Sequence, residues 1–567
     1  MAEDEKVKDA QEWAVREIEK EDKKPVEHVP FLVTDTFIAE ECYNSESDEA
    51  FFMIRFFDSE NIQRMDEIEY GGKVYRPLVN PTLRKKLVLM PTGVEETSFS
   101  EIYDEAWRLV TRFYECEEQK IDELKLLVGV TIADSWFLDR FNMDIPGLGG
   151  FAPVISIRGP SGSGKDRLMN ALRLLSYRPF YDVSTTRIPS LYRPLDQWQG
   201  TLCLSEMDFH STDAKSELTH YLNCRCYGVP ISRQNPDNPR VNQVFKNFGL
   251  TIVTQRLGWE DNALEDRTLP FYCERTEKDI PTEVLDKWVE EGKIIQNKLL
   301  YLRLMFYEKF NIDKSLRIRG VRDHRLIAAS LPLIALGRLE PRFLTNLVDT
   351  LQKLEKKRRE VKAMSIDGII VNRIFEAYSA GLVGEWNRIK YVGKERKRNE
   401  ATGEETIIPL QVSDLADELK MTGRTIRYHL NSLQLHPAFE KLPKVIRIDR
   451  AYRPIFFDEN RVQIRFLEFV PDYAPSEKTP LLAFKGEALP DIYSCEDVTH
   501  VTDVTHDMCV HPAETGEPST HASSVTSVTS VTENPPESHA PRVPPLQGGE
   551  EKKKGENETV IEGLGGV

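Results

Sequence analysis

The sequence predicts a multidomain α/β protein with a mostly parallel, buried sheet at its centre. Three observations lead there. Strand-like runs recur at 154–157 (VISI), 180–185 (FYDVST), 201–204 (TLCL), 250–254 (LTIVT) and 269–273 (LPFYC), with helical or irregular stretches between them. Alternation of this kind builds a parallel sheet with helices on its faces. The first run passes directly into a glycine-rich turn and then into a helical pattern. Finally, 567 residues with 40% hydrophobic and 29% charged content have the composition of a globular protein, with room for about three or four domains.

The glycine-rich turn is Gly159-Pro160-Ser161-Gly162-Ser163-Gly164-Lys165-Asp166, followed by Arg167 and the helical stretch 167–175. It fits G-x-x-x-x-G-K, the phosphate-binding P-loop, and predicts a P-loop NTPase core over 150–276. Glycines let backbone N–H groups turn inward, and the helix N-terminus adds partial positive charge. Residues 159–167 are therefore the candidate ATP-binding set, with Lys165 reaching the β- and γ-phosphates. A purely structural glycine-rich turn is the plain alternative. One position departs from the pattern: Asp166 stands where Ser or Thr is expected. A hydroxyl there normally ligates Mg²⁺. A carboxylate suits the same hard cation but adds negative charge beside the phosphates.

The run 201–209, TLCLSEMDF, supplies the acidic strand end that such a site needs. Ser205 occupies a position usually held by Asp, and Glu206 is the candidate general base for the attacking water. The two departures are complementary, since a hydroxyl and a carboxylate have changed places. The expected Mg²⁺ ligands are thus Asp166, Ser205 and Glu206. The competing reading is a weak or inactive site. Thr254, ending the next strand, is a candidate γ-phosphate sensor. Arg267, just before the last strand, is a candidate finger for a neighbouring subunit's nucleotide. A salt bridge from Arg267 to Asp266 or Glu265 is the structural alternative.

The remaining segments frame this core. Residues 1–28 are highly charged, as a frayed helix or disordered arm would be. Segment 29–92 carries β-rich runs, with Gly71-Gly72 as a hairpin-like turn, and predicts a small β domain. Helical patterns fill a linker region at 99–149 and a lid region at 281–378. The basic run 353–362 is either a solvated face or a DNA backbone contact. Segment 407–458 has the pattern of a winged helix-turn-helix. Ser413 is its candidate first N-cap, 421–423 the turn, 424–433 the recognition helix and VIRIDRAYRPIFF the wing. Across 411–457 eight Lys/Arg face five Asp/Glu, a local excess that opposes the chain's net charge of −17 and suits a DNA module. Arg424, Arg427, Arg447 and Arg453 are its candidate DNA contacts, and protein docking is the alternative use. Segment 476–567 is low in apolar residues and repeats Val-Thr, as a disordered tail does. Metal binding by its Cys and His residues is the weaker reading.

Eight scattered cysteines without C-x-x-C spacing point to reduced thiols in a cytoplasmic setting. No run of eighteen apolar residues and no secretory h-region appear, so no membrane partner is expected.

The stretches IRGPSGSGKDRLMNAL, GTLCLSEMDF, YLNCRCYGVPISRQ, FGLTIVTQR and ALEDRTLPF together resemble the helicase-like, AAA+-type ATPases of phages and integrative mobile elements, over about 125–345. RDHRLIAASLPLIAL resembles the lid region of that family. The resemblance implies a homo-oligomeric ring acting on single- or double-stranded DNA, with a primase or replication initiator as a further partner. It also directs attention to the loop YGVPISRQNPDNPRVNQ, with Arg233 and Arg240, as a DNA contact; a surface loop without a ligand is the alternative. No primase motif is seen in the N-terminal β segment. The expected activity is ATP-dependent translocation or helicase-like unwinding. The rival is a nucleotide-responsive DNA-binding regulator or loader that scarcely hydrolyses ATP, and a structural interaction protein with a decayed P-loop is the third reading.

Overall fold

The computed structural model describes residues 24–469, apart from 142–144, 146, 184–187, 206–211, 236–239, 276–284, 387–388, 399, 401–402 and 434–454, and also describes 492–494. Five strands form the central sheet: β1 Val154–Arg158, β2 Phe180–Val183, β3 Leu202–Ser205, β4 Thr251–Gln255 and β5 Thr268–Tyr272. All pair in parallel, in the order β5-β1-β4-β3-β2. The near-continuous apolar character of these runs follows from burial on both faces: every residue of β1, β3 and β4 is buried.

The helix Lys165–Leu175 follows β1, and its apolar side, Leu168, Met169, Leu172 and Leu175, is buried. Against it pack Phe99–Phe113 and the long helix Asp286–Phe306. Helix Ile121–Trp136 is buried all round, as its unbroken run LLVGVTIADSW requires. It packs on His324–Gly337, which Asp323 caps by accepting from Arg325 N and Leu326 N. All of these helices share one core with the sheet. Among the described residues no helix is long and apolar enough to cross a membrane.

The β-rich N-terminal segment forms a four-stranded antiparallel sheet (Phe31–Val33, Phe37–Asn44, Glu49–Phe56, Ile62–Met65) and a three-stranded one. Gly71 and Gly72 are the two-residue loop between Ile68–Tyr70 and Lys73–Arg76, both with positive φ (59° and 78°). That conformation is what a tight hairpin asks of glycine. Alternate residues of the Phe37–Asn44 strand serve different cores. Phe37 and Ala39 join a small local cluster, whereas Ile38 and Cys42 join the main core.

A second hydrophobic core gathers the helices Ile366–Ser379, Val412–Glu418, Gly423–Ser432 and Glu459–Phe469. A three-stranded antiparallel sheet, Val383–Trp386, Ile389–Arg398 and Glu405–Pro409, precedes the two short helices. The first short helix is capped by Gln411, with Asp414 closing the capping box, and not by Ser413. Ser413 lies inside the helix, because the chain is already helical from Val412. Ile492–Ser494 pairs antiparallel with Leu316–Ile318, inside the segment whose composition predicts no structure. ALPDIYS is the last apolar stretch before the Val-Thr repeat, which is why a strand can form there.

Candidate nucleotide-binding site

The turn after β1 is built by three glycines with positive φ: Gly159 (147°), Gly162 (77°) and Gly164 (81°). A side chain at Gly159 would collide with the Cys273 carbonyl and with Ser163 Oγ, so the turn requires glycine for space as well as for conformation. Gly164 caps the helix Lys165–Leu175 without a side-chain hydrogen bond. The first-turn N–H groups are therefore not taken up by a capping side chain, the arrangement that receives anions. Ser163 Oγ is buried without a hydrogen-bond partner. A glycine turn that leads into an uncapped helix start, with an orphaned hydroxyl beside it, fits a phosphate group.

Lys165 lies back across its own loop, donating from Nζ to the Pro160 carbonyl at 2.8 Å. Thr254 Oγ1, at the end of β4, donates to Asp166 Oδ1 at 2.8 Å. This contact joins the residue that departs from the P-loop pattern to the candidate sensor. Ser205 ends β3 and receives a hydrogen bond from Tyr181 at 3.3 Å. The Tyr181 ring carries the Arg173 guanidinium 4.6 Å above its centroid, and Arg173 belongs to the P-loop helix. Ser205 thus faces the same side of the sheet as that helix. The carboxylate of Asp166 is a suitable hard-cation donor; Glu206, the expected base, lies outside the described residues.

Arg167 is turned away from the loop. It donates to the Phe113 carbonyl at 3.1 Å and lies 6.0 Å from the Trp288 ring centroid, tying the P-loop helix to its neighbours. Two groups beside the loop carry no sequence signal. Arg275, just past β5, donates to the Ser161 carbonyl at 3.0 Å. The Tyr114 ring packs against Gly164, and its hydroxyl accepts from Glu274 N at 3.4 Å. Both are distant from the loop in sequence, and only the pairing of β5 with β1 brings Arg275 there.

Arg267 stands before β5, level with the start of β1, and therefore at the opposite end of the sheet from its own P-loop. It donates to Asn223 Oδ1 at 2.8 Å and stacks on Tyr227. It pairs with neither Asp266 nor Glu265. Glu265 holds buried Arg158 through two 2.7 Å hydrogen bonds, and Asp266 meets Arg325 and Lys362.

Arg233 lies on a hairpin (Ile231–Gln234 with Asn242–Phe245) and pairs with Glu217 at 2.8 Å. Four of the six basic residues of the run 353–362 pair with acids of the chain: Lys357 with Glu123, Arg358 with Asp323, Arg359 with Glu355 and Lys362 with Asp266. Arg424 and Arg427, on the helix that Thr422 caps, are exposed beside Tyr428, which is 72% exposed. Arg447 and Arg453, with most of the expected wing, lie outside the described residues.

No protein-family model matches the chain, and no curated protein matches it. Solved structures similar to it include the apo C-terminal region of NrS-1, at 12% identity and a TM-score of 0.32, covering 74% of this chain and 95% of that one. A second, A-form apo structure of that region stands at 10% and 0.30, covering 74% and 96%. The X-ray structure of JCV helicase stands at 16% and 0.21, covering 45% and 72%.

Proposed function

We propose that this chain is a P-loop ATPase that works as a helicase-like or translocase motor on DNA, assembled as a homo-oligomeric ring. The observation that carries the nucleotide reading is the P-loop itself: three positive-φ glycines, a helix start free of a capping side chain, and Lys165 within the loop. Backbone amides and Lys165 hold the phosphates of ATP. Asp166, with Ser205 and Glu206, holds Mg²⁺, which supplies charge neutralisation when bound. Glu206 takes a proton from the attacking water. Arg267 cannot serve its own P-loop from the far end of the sheet, which supports a role across a subunit boundary. The hairpin around Arg233 and the exposed Arg424 and Arg427 are the proposed DNA contacts.

A second reading has one observation in its favour. Thr254 is bonded to Asp166, so a sensor engaged in this way would leave ATP bound but scarcely hydrolysed. The chain would then be a nucleotide-responsive DNA-binding regulator or loader. Mg²⁺-dependent ATP hydrolysis, with and without single-stranded DNA and beside Lys165→Ala, decides between them. Hydrolysis that DNA stimulates and Lys165→Ala abolishes supports the motor. ATP binding without turnover supports the regulator, and no ATP binding defeats both.

A further inference from the structure

The segment that carries Arg267 is held from behind. The carbonyls on either side of it, those of Asp266 and Thr268, both accept from the guanidinium of Arg358, at 3.3 Å from Nη1 to the Asp266 oxygen. The Arg267 carbonyl between them accepts from Val154 N at 3.1 Å. Three consecutive carbonyls are therefore fixed, two to Arg358 and one to β1. Arg358 belongs to the helix Leu347–Ala363, and its side chain is 14% exposed. Its charge is met by Asp323, the N-cap of His324–Gly337. The Asp266 side chain is held as well, by Arg325 at 2.8 Å and Lys362 at 3.2 Å. Two helices of the lid region thus close on residues 266–268.

The Arg267 side chain is treated differently. Among the described residues no acid pairs with it, since Glu265 and Asp266 are taken by other cations. Its guanidinium donates to neutral acceptors, Asn223 Oδ1 at 2.8 Å and the Ala263 carbonyl, and lies 5.2 Å from the Tyr227 ring centroid. Asn223 is itself oriented, because its Nδ2 donates to Asp261 Oδ1 at 3.3 Å and so turns Oδ1 toward Arg267. Arg267 Nε is buried with no partner. A backbone clamped by charged groups thus carries a guanidinium whose own charge is uncompensated. A group that must meet an external phosphate needs that combination.

We propose that Arg358 is a positioning residue for Arg267, fixing the backbone from which the finger reaches a neighbouring subunit's γ-phosphate. The inference rests on the finger role given to Arg267 above. The shape of the clamp matters. β5 is an edge strand, and the outer carbonyls at its start need partners of some kind. Separate donors would satisfy them one at a time. A single planar guanidinium on both sets their mutual geometry as well. Misplacing a reacting group by about 1 Å costs on the order of a hundredfold in rate. ATP on the subunit's own P-loop lies at the other end of the sheet from this segment. Loosening the clamp should therefore lower kcat and leave the ATP KM unchanged.

The test is a double-mutant cycle on the full chain, reading kcat and KM for ATP hydrolysis in the presence of single-stranded DNA. Its members are Arg267→Ala, Arg358→Gln and the two combined. Arg267→Ala is expected to lower kcat by about a thousandfold, and Arg358→Gln by about tenfold or more, both with KM unchanged. In the Arg267→Ala background, followed as single turnovers with enzyme in excess, Arg358→Gln is expected to cost nothing further. Arg358→Lys keeps a charge opposite Asp323 but cannot span both carbonyls, so its kcat should lie in between. It carries the same cycle if Arg358→Gln does not fold. Equal losses in the two backgrounds, an unchanged kcat, or a change confined to KM overturns the proposal and leaves the finger reading standing. Full turnover in Arg267→Ala defeats the finger reading and this one with it. Absence of hydrolysis by the wild type defeats both together with the motor.

Discussion

At the scale of single residues, the Asp166–Thr254 hydrogen bond is the feature that separates this site from an ordinary P-loop. If hydroxyl and carboxylate have exchanged places around the metal, neither change is tolerated alone. Asp166→Thr is expected to lower steady-state ATP turnover by about tenfold or more, the scale of one misplaced charge-assisted contact. The double change Asp166→Thr with Ser205→Asp is expected to recover most of it. Turnover that rises in the single variant sinks the exchange. Arg275 gives a second expectation. Among the described residues no acid pairs with it, and its guanidinium rests at the loop apex on the Ser161 carbonyl. Arg275→Ala is expected to weaken ATP affinity roughly tenfold, as loss of one charged hydrogen bond does, with Arg275→Lys in between; equal affinity for all three makes Arg275 a bystander. The loop was legible in the sequence because its residues are consecutive and each has a reason. Arg275 and Tyr114 were not, because strand pairing and helix packing, which no local pattern encodes, bring them in.

Secondary-structure elements are joined by buried charge that the sequence does not advertise. Glu40, on an N-terminal strand, is 1% exposed and meets Arg178, Arg303 and Tyr177 from two other segments. Removing one member of such a group leaves buried cations uncompensated, and Glu40→Ala is expected to cost about 3–5 kcal/mol in denaturant unfolding. A loss no greater than that of a surface variant excludes the group as the N-terminal anchor. Its neighbour Glu41 adds a pH dependence. Burial pushes its carboxyl from 4.5 up to about 8, against the opposing hydrogen bond from Leu78 N. Because the folded value is the higher one, the contribution is fully present below about 4.5 and is lost as pH rises to about 8. Unfolding free energy in wild type should fall more steeply with pH across that window than in Glu41→Gln; parallel curves exclude the assignment. Runs rich in β-branched and aromatic residues made the strands themselves readable, and the hairpin at Gly71-Gly72 followed from turn chemistry. Which face of a strand meets a second layer was not readable, since both faces of Phe37–Asn44 are apolar enough to be buried.

The whole molecule divides its apolar residues between a core around the parallel sheet and a second core from Ile370 onward. The sequence marked the two short helices of the second core through their spacing and charge. It placed the accompanying sheet after them, because the run 445–457 has strand composition, and gave no sign of the antiparallel sheet that precedes them. The division lets the proposed nucleotide and DNA roles be tested separately. Arg424 and Arg427 are exposed on one helix, while buried Ile426 and Leu430 anchor it. Replacing both arginines by alanine leaves that anchor intact, so folding and ATP binding should be unchanged. If both arginines meet phosphates of duplex DNA, the slope of log affinity against log salt should become shallower by about 1.8, two counter-ions' worth. The effect should be similar for unrelated sequences, since phosphate contacts carry no base information. An unchanged slope removes this helix from the DNA interface and leaves protein docking as its use. A loss confined to one sequence would instead mean that the helix reads bases.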